Sequence, residues 1–116
     1  MNLRRGDIVL VPFPFTNLTS EKVRPAVIIS ADPQSEDVVL AFISSAIPHR
    51  ISGSDFIINE FDADFFTTGL KVASVFKFRK ILTLHPSQIL RYLGHLTPSL
   101  KKQMNHCLVF ALGLHP

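Results

Sequence analysis

Lys22-Val23-Arg24-Pro25-Ala26-Val27-Ile28-Ile29 decides how this chain is read. Pro25 bars helical dihedrals at the residue before it, so Arg24 enters in extended geometry. The apolar, β-branched run that follows reads as a buried strand over 24–29. A charged residue is thus held extended at the mouth of a strand, directly after a polar loop over 16–23. That loop contains Ser20, Glu21 and Lys22, and reads as a flap beside Arg24, with Glu21 a candidate to hold the guanidinium.

Working outward, "GDIVLVPF" (6–13) reads as a first strand, which Pro12 and Pro14 force to end or to run along an edge. Downstream, "ADPQSEDV" turns the chain, with Asp32 and Asp37 as turn residues, and 38–43 reads as a third strand. A longer loop, "SSAIPHRISGS", leads to a fourth element over 55–59. "DADFFTTG" reads as a short helical turn closed by Gly69, followed by strands over 70–76 and 80–84 and a connector from Pro86 to Leu90. The last element changes period. Thr97 can cap and Pro98 suits the first helical position. Leu100, Met104, Cys107, Leu108 and Ala111 then fall on one helical face until Gly113. Short strands, tight turns and one terminal helix favour a curled, barrel-like sheet, mainly β with added α.

Composition bounds the rest. The 116 residues suit one domain over 1–116, with no repeat or low-complexity tract. Ten phenylalanines stand against one tyrosine and no tryptophan, a choice that serves cores, interfaces and base stacking alike. Net charge is +3 and the pI about 9.4, which permits a nucleic-acid partner without requiring one. From residue 65 onward there are Lys and Arg residues but no carboxylate side chain, which favours one electropositive face. A single cysteine, Cys107, excludes an internal disulfide. "MNLRRGD" lacks a signal-peptide core, and "CLVFALGL" is too short to span a bilayer, so a cytoplasmic location is expected. The histidines His85, His95, His106 and His115 show no metal-ligand rhythm, and no carboxylate pair has persuasive spacing for metals. No metal and no cofactor is expected.

The ordered set "RRGDIVLVPFPFT…KVRPAVIIS", "AFISS" and "GLKVASVFKFRKILTL", followed by the helix, resembles the PemK/MazF-type toxins of bacterial toxin–antitoxin systems over nearly the entire chain. The resemblance implies an SH3-like small barrel (MazF/CcdB-like) with a C-terminal helix, assembled as a two-fold homodimer. It implies metal-independent, sequence-selective cleavage of single-stranded RNA, leaving 2′,3′-cyclic phosphate and 5′-hydroxyl ends. It also implies a cognate antitoxin protein as partner and no membrane. Two alternatives from the same fold stay open: a gyrase-inhibitor-like protein binder of the CcdB type, and a non-catalytic RNA binder.

The resemblance places Arg24 at the family's catalytic arginine. A guanidinium fork suits two phosphate oxygens and stabilises the charge that grows on them, whereas it is a poor base. Ser44 stands where the family usually carries threonine. Its hydroxyl keeps the hydrogen bond but lacks the β-methyl that stiffens threonine, and Ser45 is the neighbouring alternative. His49 is a candidate base or RNA contact beside Arg50. Lys22, Arg50, Lys77, Arg79 and Lys80 are candidate backbone contacts to RNA, with Lys77 and Arg79 on one strand face and Lys80 on the other. Thr83 matches a family threonine with a structural role.

Overall fold

The computed structural model describes residues 2–12 and 22–114. The expected flap, with Ser20 and Glu21, lies outside the described residues except for its end at Lys22 and Val23, as do Phe13, Pro14 and His115. Six antiparallel strands form one sheet: β1 (Asp7–Pro12), β2 (Val23–Ser30), β3 (Val38–Ser44), β4 (Asp55–Ile58), β5 (Ser74–Leu84) and β6 (Arg91–His95). Their order across the sheet is β4-β5-β3-β2-β1-β6. One helix, α1 (Pro98–Leu112), closes the described chain, and 3-10 turns occupy Phe66–Thr68 and Pro86–Gln88. The architecture is the curled, barrel-like sheet with a C-terminal helix expected above.

Alternation along the strands feeds two apolar layers. One side of the sheet contributes Ile8, Val27, Ala41, Ile43, Phe76 and Phe78, and α1 covers it with Leu100, Met104 and Cys107. The other side gathers Val9, Val11, Ala26, Ile28, Leu40 and Phe42. Both faces are thus apolar, which is why β1 to β3 read as continuous hydrophobic runs rather than as alternating ones. Phe56 stacks on Phe76 with ring centroids 4.6 Å apart, and Phe78 extends the group at 5.6 Å from Phe56. This trio accounts for part of the phenylalanine excess as core packing. The helix starts where Thr97 Oγ1 accepts the Leu100 N–H, and stops at Gly113 in the left-handed region at φ 68°.

Two expectations need correction. The strands over 70–76 and 80–84 are one strand, β5, and 70–73 belong to the preceding loop. That loop has its own partners: the Thr68 hydroxyl accepts the Leu70 N–H, and Ser74 Oγ donates to the Val72 carbonyl. β5 stays continuous by slipping three residues against β3, from Ala41↔Ile81 to Phe42↔Lys77. Phe78, Arg79 and Lys80 therefore face no β3 residue, and the strand bends there. The second correction is β6, "RYLGH", which the expected connector leaves out. Its pairing partner is β1, from Asp7↔His95 to Leu10↔Arg91.

Among the described residues no helix is long and apolar enough to cross a membrane. The buried Cys107 thiol is pushed above its ordinary pKa, first by burial and then by the Asp55 carboxylate.

Candidate active site

Arg24 and Ser44 are brought together by register. The β2–β3 ladder runs Ile28↔Leu40, Val27↔Ala41, Ala26↔Phe42. Continued two residues further, it sets Arg24 opposite Ser44, on the same side of the sheet. The ladder does not continue, because Pro25 has no N–H to give it. β2 goes on pairing with β1 through Leu10↔Pro25 and Val11↔Arg24, while β3 goes on with β5 through Ser44↔Val75. The two strands part between Arg24 and Ser44, and a cavity of about 510 Å³ lies at the fork.

Arg24 and Ser44 both line that cavity, and so does Ser45. Arg24 is half-buried, and its Nη1 donates to the Val23 carbonyl at 3.4 Å. Ser44 Oγ accepts the Ala46 N–H at 3.1 Å, which turns the chain out of β3. One lone pair is so occupied; the hydroxyl hydrogen and the second lone pair remain for a ligand.

The cavity also takes two cations that the sequence reading left aside, Lys71 and Arg91. Arg91 shares its side of the sheet with Leu10 and Pro25, the opposite side from Arg24, so positive charge reaches the fork from both faces. Leu10, Leu70 and Leu93 supply apolar wall, and among the described residues no carboxylate side chain lines the space. The signal for Arg91 was the short alternation in "RYLGH", obscured by its glycine. Lys71 lies in a segment expected to be strand.

The remaining candidates stand elsewhere. His49 and Arg50 are exposed in the loop after β3. Lys22 is exposed just before β2. Lys77 is half-buried on β5 between Phe42 and Asp55, and Arg79 and Lys80 are exposed on the slipped segment. None of these six lines the cavity. Thr83 pairs with Val39 and is exposed. Asp7 lies at the far end of β1, where its carboxylate accepts the Arg4 N–H at 2.8 Å. Among the described residues no three His, Cys, Asp or Glu side chains gather as a metal site would need.

A family model described as the PemK-like, MazF-like toxin of type II toxin–antitoxin systems matches residues 4–112. No curated protein matches the chain. Among solved structures, an endoribonuclease in complex with its cognate antitoxin from Mycobacterial species superposes with a TM-score of 0.73 at 21% identity, over 99% of each chain. The Mycobacterium tuberculosis toxin MazF-mt6 gives 0.73 at 18% identity, over 95% of this chain and 99% of that one. A further endoribonuclease from Mycobacterial species gives 0.66 at 22%, over 94% and 89%. At such identities the likeness concerns the fold.

Proposed function

The chain belongs to the PemK-like, MazF-like toxins of type II toxin–antitoxin systems, and from that premise we propose that it is an endoribonuclease that cuts single-stranded RNA without a metal. One observation carries the reading: Arg24 and Ser44 line a single cavity that, among the described residues, receives further cations and no carboxylate. A polyanion is favoured there, and a phosphodiester at the fork would meet a guanidinium on one side and a hydroxyl on the other.

The reaction is an in-line transesterification. The ribose 2′-oxygen forms a bond to the adjacent phosphorus as the bond from phosphorus to the 5′-oxygen breaks. One product is a 2′,3′-cyclic phosphate and the other a 5′-hydroxyl. Charge grows on the non-bridging oxygens, where the Arg24 fork stabilises it. Ser44 donates to one of those oxygens. Arg24 acts through charge and through hydrogen bonding to the leaving oxygen, which takes one proton from water. The proton lost by the 2′-hydroxyl has neither imidazole nor carboxylate to receive it among the described residues lining the cavity. Water or a non-bridging oxygen takes it.

The same reading makes the protein a cytoplasmic homodimer that an antitoxin neutralises. The exposed Val109 and Leu112 on α1 support it as apolar surface available to a second chain.

The test is incubation with mixed-sequence single-stranded RNA in EDTA, with mapped ends, beside Arg24→Ala and His49→Ala. Discrete cuts with cyclic phosphate ends are expected, slowed about 10²-fold or more in Arg24→Ala and retained in His49→Ala. Equal cutting by Arg24→Ala would remove that residue from the chemistry. RNA bound but uncut by the parent protein would make it a binding relative of the family.

A further inference from the structure

A second cavity, of about 390 Å³, lies at the other end of the strand pair that leads to the first. β1 and β6 run antiparallel, so Leu10 and Arg91 stand at one end of the pair, and Asp7 and His95 at the other. The three residue steps from Asp7 to Leu10 cover about 10 Å of strand. Asn2, Arg4 and Arg5 line the cavity from the chain before β1, Tyr92 and His95 from β6, and Lys101 from the first turns of α1.

Its charge is mainly positive. Among the described residues that line it, Arg4, Arg5 and Lys101 are basic, against one carboxylate, Asp7, which is only 8% exposed and already accepts the Arg4 N–H. Arg5 is held in place: its Nε donates to the Ile29 carbonyl and its guanidinium also donates to Asn105. Among the described residues no hydrogen bond or ion pair engages the Arg4 guanidinium or Lys101 Nζ. Tyr92 is half exposed, and its hydroxyl lies 3.2 Å from His95 Nδ1. Burial, and then the Asp7 charge, push the phenol above its ordinary pKa, so it stays a hydrogen-bond donor. Its ring offers a face on which a base can stack.

We infer that this cavity is a second phosphate-binding site, which grips the RNA chain a few nucleotides from the cleaved bond through Arg4 and Lys101, with Tyr92 as a stacking platform. The inference rests on the RNA reading of the first cavity. A free phosphate would suit the charges equally. The shared strand pair favours a chain long enough to lie in both cavities, because Tyr92, paired with Val9, lies on the same side of the sheet as Arg24, paired with Val11.

The experiment uses 2′-O-methyl RNA oligonucleotides of mixed sequence, from about three to about twelve nucleotides, which lack the attacking hydroxyl. Binding is followed by fluorescence anisotropy across a salt series. The parent protein should bind more tightly as the RNA lengthens. The double variant Arg4→Gln/Lys101→Gln should lose that gain and hold long RNA no better than the parent holds the shortest. Its slope of log affinity on log salt should fall by about 1.4, at about 0.7 for each lost contact to a single strand. An unchanged thermal melt by circular dichroism shows that the variant is folded. Single variants at each position, expected to fall halfway, replace it if it is not. Retention of the length gain in the folded variants overturns the inference, and so does absence of any gain in the parent. Failure of the cleavage reading is separate: it shows as RNA left uncut, or cut equally by Arg24→Ala, while the titration still decides this site.

Discussion

Ser44 carries both the fold and the proposed chemistry. Its hydroxyl turns the chain after β3 by accepting the Ala46 N–H, and it faces the fork beside Arg24. Ser44→Ala should lower kcat/KM on a fluorogenic RNA about 10²-fold, the usual cost of losing one donor to developing charge. Ser44→Thr keeps the hydroxyl and stiffens its rotamer, so its kcat/KM should equal or exceed the parent's. A strong loss in Ser44→Thr, with the fold intact, would shift the role to Ser45. Cys107 permits a different check. Its raised pKa and burial keep the thiol protonated at neutral pH, so iodoacetamide should label the native protein much more slowly than the urea-unfolded chain. At this scale Arg24 was legible because proline fixes its geometry and the family resemblance supplies its role. Lys71 and Arg91 were not, since a lone cation carries no local sign of the cavity that it faces.

Elements were legible where period and punctuation agree. α1 announces itself by Thr97, Pro98, its apolar face and Gly113, and β1 to β3 by their apolar runs. β6 was hidden because Gly94 interrupts it and because its partner, β1, lies far back in the chain. That glycine is required: a Cβ there would sit 2.2 Å from the Thr67 carbonyl oxygen. The 3-10 turn packs against β6 from the other direction, where Gly69, at φ 71°, would place a Cβ 2.0 Å from the Leu93 carbonyl oxygen. Both clashes are with backbone, so neither can be relieved by a rotamer change. Gly94→Ala should destabilise the protein by about 3 kcal/mol in urea titrations. Thr97→Ala, which only removes a cap, should cost about 1 kcal/mol. The slip in β5 was equally hidden, because three residues without a β3 partner look locally like any other strand residues.

The molecule as a whole keeps its apolar surface in separate places. Phe61 and Phe66 are 97% and 92% exposed on the loop between β4 and β5, unlike the Phe56, Phe76 and Phe78 group in the core. Ten phenylalanines in the sequence do not reveal which are which; only the turn at Phe66–Thr68 separates buried Thr68 from exposed Phe66. Phe61→Ser and Phe66→Ser should change stability by no more than about 0.5 kcal/mol, measured by urea unfolding, whereas Met104→Ala under α1 should cost about 2–5 kcal/mol. A large loss from either surface variant would mean that the loop packs against something in solution.

The pairing of β1 with β6 also bears on synthesis. Arg24 is made early, but the wall that Arg91 and Leu93 give its cavity comes from a strand made long after it. A nascent chain that has Arg24, Ser44 and Lys71 outside the ribosome still lacks that wall. Contacts between such distant segments form slowly, so the cavity closes late. On the function proposed above, a ribosome making the protein is thereby spared a finished nuclease beside its own message until β6 has emerged.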